Sequence, residues 1–190
     1  MPDHNMPPSV EHSQEPAALS RRTWVGVAAG AALLGAGGSW WYHRRASNPA
    51  ADALDAFWVQ TFAGPQGETL AMNQFRGRKL VINFWATWCP PCVEELPLLD
   101  AFFTAQQTKG WTVLGLAVDQ VEPVQRFLKR RPLAFPVAVL GAQGLTVTQS
   151  LGNESGSLPY TVVLAADGSW VQRKLGKVNE NDLAAWAALP

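Results

Sequence analysis

Apolar and polar positions divide the chain into three stretches. Residues 1–20 are rich in proline, polar and charged residues and show no apolar period, which predicts a disordered tail. From Trp24 to Tyr42 the chain carries no formal charge. As a helix this segment spans roughly 28 Å, close to the hydrocarbon thickness of a bilayer. Trp24 marks one end and Trp40, Trp41 and Tyr42 the other, where an aromatic belt sits. Residues 21–45 are therefore expected to form a signal anchor, with 46–54 as a linker and 55–190 as a folded domain. The competing expectation is a cleaved export signal that frees a soluble domain, with small residues near Ala50-Ala51-Asp52-Ala53 as the cut site. Ser20-Arg21-Arg22 loosely matches a twin-arginine signal. Arg21/Arg22 and Arg44/Arg45 balance across the span, so charge does not set its orientation.

Within the domain, short apolar runs alternate with Gly, Pro and polar clusters. Phe57–Ala63 reads as a strand, Gly64-Pro65-Gln66-Gly67 as a turn, and Thr69–Phe75 as a segment leading to a second turn at Arg76-Gly77-Arg78. Leu80–Trp85 is an apolar run interrupted only by Asn83, the pattern of a central buried strand. Pro91 to about Thr108 predicts a helix, kinked where Pro97 interrupts it. Then come a strand at Trp111–Val118, a helix at Pro123–Arg130, a short extended stretch at Pro136–Leu140, and a polar, Gly-containing loop. Tyr160–Leu164 and Trp170–Leu175 form a hairpin around Ala166-Asp167-Gly168-Ser169. A last helix covers Asn181–Leu189, with Asn179 or Asn181 as its cap. A leading hairpin followed by β-α-β-α-β-β-α implies an α/β domain with a mixed central sheet.

Charge adds little. Basic and acidic residues number 15 each over the whole chain, which gives no sign of a polyanionic partner. Histidine is more telling. His4, His12 and His43 all lie upstream of the domain, so the domain offers a metal ion two thiols and no imidazole.

Those two thiols carry the chemistry. Cys89 and Cys92, the only cysteines, sit in Trp88-Cys89-Pro90-Pro91-Cys92, between the central strand and the helix after it. At a helix N-terminus, unsatisfied N–H groups and the helix dipole favour a thiolate. Cys89 is then the exposed nucleophile, and Cys92, one turn in, the resolving thiol. The alternative is a plain structural disulfide, but so short a loop gains little from closure. Pro90 and Pro91 lack N–H groups, so a Cys89 thiolate finds few backbone donors and the couple is expected to be reducing.

Residues 83–97, Asn-Phe-Trp-Ala-Thr-Trp-Cys-Pro-Pro-Cys-Val-Glu-Glu-Leu-Pro, resemble the active-site signature of the thioredoxin superfamily. More closely they resemble its TlpA/ResA-like membrane-anchored thiol–disulfide oxidoreductases. The similarity continues at Val113–Asp119 and Ser157–Leu164 and covers roughly residues 55–189. It implies a thioredoxin fold with an N-terminal β-hairpin extension. It also implies a cis peptide at Pro159 that exposes the Leu158 backbone to an extended substrate, although an ordinary trans proline is commoner at a strand start. Where cytoplasmic thioredoxins carry a buried Asp, this chain has Asn83, and Glu95 is the replacement proton shuttle for Cys92. The bland alternative for Glu95 is a first-turn acid that suits the helix dipole. Trp88 is expected to shield the disulfide and touch substrate.

The resemblance implies a protein disulfide reductase outside the cytoplasm, in cytochrome c maturation or a related envelope pathway. It would sit on the bacterial inner membrane with its domain in the periplasm and take electrons from a DsbD/CcdA-type membrane donor. No cofactor is expected beyond the Cys89–Cys92 pair, and no nucleic acid as partner. Two other functions use the same fold. A peroxiredoxin-like peroxidase wants Pro-x-x-x-Thr-x-x-Cys, whereas Thr87 stands two residues before Cys89. A copper-site assembly factor wants wider cysteine spacing and a downstream histidine.

Overall fold

The computed structural model describes residues 49–189. The expected tail 1–20, the anchor segment 21–45 and linker residues 46–48 lie outside the described residues. Among the described residues, no helix is long and apolar enough to cross a membrane.

In chain order the elements are α1 (Pro49–Trp58), β1 (Thr61–Ala63), β2 (Thr69–Ala71), a 3-10 turn at Met72–Phe75, β3 (Lys79–Trp85) and α2 (Pro90–Gln106). They continue with β4 (Trp111–Ala117), α3 (Val121–Arg130), β5 (Val137–Val139), α4 (Gly144–Ser150), β6 (Tyr160–Leu164), β7 (Trp170–Leu175) and α5 (Glu180–Ala187). The strands form one mixed sheet in the order β2-β1-β5-β4-β3-β6-β7. β3 runs parallel to β4, and β4 to β5, while β6 is antiparallel to β3 and the β1–β2 hairpin joins the far edge antiparallel to β5. The expected thioredoxin fold with a leading hairpin is present.

Strand alternation explains both the core and the site. Side chains two apart share a face. Val81 and Trp85 of β3 pack with Leu96, Leu99 and Phe102 of α2, while Leu80, Ile82 and Phe84 pack with Leu54 and Phe57 of α1 on the other face. Asn83 therefore points into the α2 layer. Gly115 of β4 lies beside it in register, and a Cβ there would come within 2.9 Å of the Phe135 ring and 3.2 Å of Trp85 Nε1. Both rings need that position to be glycine.

Several expected boundaries move. Residues 49–54 are not linker, and Phe57 and Trp58 are not strand: both belong to α1. Leu54, Phe57 and Trp58 stand at helical spacing and all are buried, so one face of α1 completes the core. The strand survives only as Thr61–Ala63. The segment after the first turn is strand over Thr69–Ala71 and then a 3-10 turn. The expected loop after β5 contains α4, whose Val147 is buried together with Leu151 one turn on. That apolar pair is masked in sequence by Gly, Thr, Gln and Ser. Helix α2 continues through Pro97, which faces solvent and lacks the N–H that would bond the Val93 carbonyl. Asn179 caps α5: its side chain accepts from the Asp182 N–H, and the Asp182 carboxylate accepts from the Asn179 N–H.

Candidate active site

β3 delivers the chain to the N-terminus of α2 through Ala86, Thr87 and Trp88. Asp119, just beyond β4, fixes this short connection. Its Oδ2 accepts from the Thr87 backbone N–H at 2.9 Å and from the Thr87 hydroxyl at 2.6 Å, and its Oδ1 accepts from the Gln120 N–H at 2.7 Å. Because β3 and β4 are parallel neighbours, their C-terminal ends lie side by side and bring Thr87 and Asp119 together.

Cys89 is the N-cap of α2, in extended conformation, with Pro90 and Pro91 as the first two helical residues. Proline suits those positions, where an N–H would have no helical partner. The Cys89 carbonyl accepts from the Val93 N–H at 3.1 Å. Cys89 and Cys92 form a disulfide, with S–S at 2.03 Å and the Cα atoms 5.3 Å apart. Cys92 is wholly buried and Cys89 is 5% exposed, so the first cysteine is more covered than expected. It packs in the same cluster as Trp85, Ala86 and Val124. Trp88, by contrast, is 65% exposed.

One turn past Cys92, the two acids of α2 diverge. Glu94 is exposed and pairs with Lys177 at 2.7 Å. Glu95 is fully buried, three residues from Cys92 on the same side of the helix. Its Oε1 accepts from Asn83 Nδ2 at 2.8 Å and its Oε2 from the Val178 N–H at 2.6 Å. Burial pushes its carboxyl above the usual glutamate range, outweighing the Val178 and Asn83 hydrogen bonds and the charges of Lys177 and Lys174. Asn83 Nδ2 also donates to Thr161 Oγ1 at 3.1 Å, its partner across the β3–β6 ladder. Among the described residues, the Asn83 Oδ1 has no hydrogen-bond partner.

The Leu158–Pro159 peptide bond is cis. Tyr160 pairs with Phe84 in the ladder, which sets Pro159 at the end of the sheet where β3 leads into Cys89. Gly176 N–H donates to the Pro159 carbonyl at 2.9 Å, and among the described residues neither the N–H nor the C=O of Leu158 meets a protein partner. Tyr160 Oη donates to the Leu151 carbonyl at 2.8 Å and ties this stretch to the end of α4.

The structure thus gathers Trp88, Cys89, Cys92, Glu95, Leu158 and Pro159 at one end of the sheet. Sequence reasoning missed Thr161 and Val178, the partners that hold Asn83 and Glu95. Only strand register and the return of the chain after β7 reveal them. Among the described residues, no group of three or more His, Cys, Asp or Glu side chains is placed to hold a metal ion.

A redoxin family model matches residues 49–188. The thiol-disulfide oxidoreductase ResA of Bacillus cereus is 29% identical over 122 residues, covering 64% of this chain and 68% of that protein. The thioredoxin-related protein of Neisseria meningitidis serogroup B is 31% identical with a TM-score of 0.60, covering 66% of this chain and 95% of that one. StoA of Bacillus subtilis superimposes with a TM-score of 0.54 at 23% identity, covering 67% of this chain and 94% of that one.

Proposed function

Because the chain belongs to the redoxin family and is a TlpA/ResA-like disulfide oxidoreductase, we propose that it works outside the cytoplasm as a reductase of selected protein disulfides. The observation that carries this is the Cys89–Cys92 pair at the N-terminus of α2, at the same end of the sheet as the open Leu158 backbone.

In the reduced protein, the Cys89 thiolate attacks one sulfur of a substrate disulfide. The substrate S–S bond breaks, a mixed disulfide forms at Cys89, and the released substrate sulfur takes up a proton. Cys92 then loses its proton and attacks the Cys89 sulfur. The Cys89–Cys92 bond forms, and the second substrate thiolate leaves and is protonated. Two electrons pass from the protein to the substrate; the two protons the substrate sulfurs take up from solvent balance those that Cys89 and Cys92 gave up on forming thiolates.

In this reading Glu95 receives the Cys92 proton. Its carboxyl is buried on the Cys92 side of the helix, and burial raises its affinity for a proton. The open Leu158 N–H and C=O offer strand-like pairing to the substrate backbone, and the exposed Trp88 offers an apolar contact beside it. A membrane dithiol donor of the DsbD/CcdA type would restore the dithiol. Localisation at the bacterial inner membrane through the segment 21–45 and a role in cytochrome c maturation belong to the same proposal.

Insulin-disulfide reduction, run beside peroxide turnover and copper titration, tests the activity. Reduction that depends on both cysteines supports the reading; peroxide turnover or stoichiometric copper binding without reduction overturns it. Alkylation trapping in cells reads the direction, with a mostly reduced pair expected of a reductase.

A further inference from the structure

Beside the disulfide lies a recess that the exchange steps do not use. Thr87, Val93, Phe127, Arg130 and Arg131 line a cleft of about 330 Å³. Two of its walls belong to the redox centre. Thr87 stands two residues before Cys89, and Val93, next after Cys92, donates its N–H to the Cys89 carbonyl. The other side is the end of α3. Phe127, only 8% exposed, gives an apolar floor, and the Arg131 guanidinium sits 6.0 Å from its ring centroid.

Among the described residues, neither arginine has an acidic partner. Ion pairs among the described residues engage Arg76, Lys174 and Lys177, and no carboxylate lies within bridging distance of Arg130 or Arg131. Asp119, the acid bound to Thr87, has both oxygens occupied by the Thr87 and Gln120 donors. Basic residues in a last turn suit the helix dipole, and Lys129 meets that need equally. The dipole does not account for two arginines lining an apolar-floored cleft beside Thr87 and Val93. Guanidinium groups are the side chains best matched to carboxylates.

We propose that this cleft is a specificity subsite that receives an acidic side chain flanking the cystine of the protein being reduced. The inference rests on the reading of the chain as a reductase of protein disulfides. It names a feature of the substrate: an Asp or Glu near the exchanged disulfide, on the side away from the Leu158 edge.

The test uses two disulfide-bonded peptides that differ only in Asp against Asn beside the cystine. Single-turnover reduction by the reduced protein is measured for each at low salt. The acidic peptide is expected to react roughly three to ten times faster, the range for one or two partly solvated charge pairs. That ratio should shrink as salt shortens the screening length from about 10 Å to about 3 Å. It should fall to near one in Arg130→Gln/Arg131→Gln and invert in Arg130→Glu. Because the readout is a ratio within one preparation, loss of folded protein cancels. Equal rates with the wild-type chain, or a preference that survives the double variant, overturns the subsite. If neither peptide is reduced, the reductase reading itself falls.

Discussion

Asn83 Nδ2 lies 2.8 Å from Glu95 Oε1, and both side chains are fully buried. This bond joins the central strand to the active-site helix and makes a carboxylate, with the Val178 N–H on its other oxygen, part of the core beneath the disulfide. Burying a carboxylate is costly unless it is hydrogen-bonded, and here the cost shows as a raised proton affinity.

Glu95→Gln separates stability from catalysis. The folded carboxyl binds its proton more tightly than the unfolded one. That contribution to stability is complete below the unfolded value, near 4.5, and is lost as pH rises through the higher folded value. The wild-type chain should therefore lose stability relative to Glu95→Gln on going from acid to neutral pH, read by melting curves across that range. If Glu95 takes the Cys92 proton, the same variant should slow resolution of the mixed disulfide by about tenfold or more.

Asp119 holds the loop before Cys89. Asp119→Ala removes the acceptor for two Thr87 donors and should cost about 1–3 kcal/mol in denaturant unfolding. Thr87→Val removes only the hydroxyl and should cost about 1 kcal/mol. Both variants should also slow exchange, because the loop sets the entry angle of α2.

Trp88 is too exposed to matter to the core. Trp88→Ala should shift stability by no more than about 0.5 kcal/mol. Its rate with a protein disulfide should fall while its rate with a small disulfide such as oxidised glutathione stays near wild type. An equal fall with both would show that Trp88 acts on the sulfur itself and not on the substrate chain.

Pro91→His tests what the two prolines do. A side chain that can stabilise the Cys89 thiolate, on a residue that restores an N–H, should raise the reduction potential by about 30 mV or more, measured by equilibration with glutathione.

Tyr160→Phe leaves the Leu151 carbonyl without its phenol donor in the interior. It should destabilise the fold by about 1–2 kcal/mol and raise hydrogen exchange at the end of α4.

Much of this was written in local patterns. The apolar run Leu80–Trp85 marks the buried strand, and the cysteine spacing after it marks the helix N-terminus and its chemistry. The position of the cis bond at Pro159 came only from resemblance to a family. The pattern predicts linker and strand where α1 forms, because Leu54, Phe57 and Trp58 make a helical stripe too short to stand out among alanines. α4 is hidden in the sequence because its buried Val147 and the buried Leu151 just beyond it are separated by polar residues.

Local covalent chemistry names the atoms that can react: two thiols, prolines between them, a glutamate one turn on, and no histidine after residue 43. Covalent chemistry and helical spacing are local, so they are legible along the chain. Tertiary structure alone decided the surroundings of those atoms. Whether Glu95 is a solvated first-turn acid or a buried one depends on Val178, 83 residues away, and on a β3–β6 register that sets Thr161 beside Asn83. Burial and register are properties of packed neighbours distant in sequence, and those neighbours fix the proton affinity of the carboxyl beneath the disulfide.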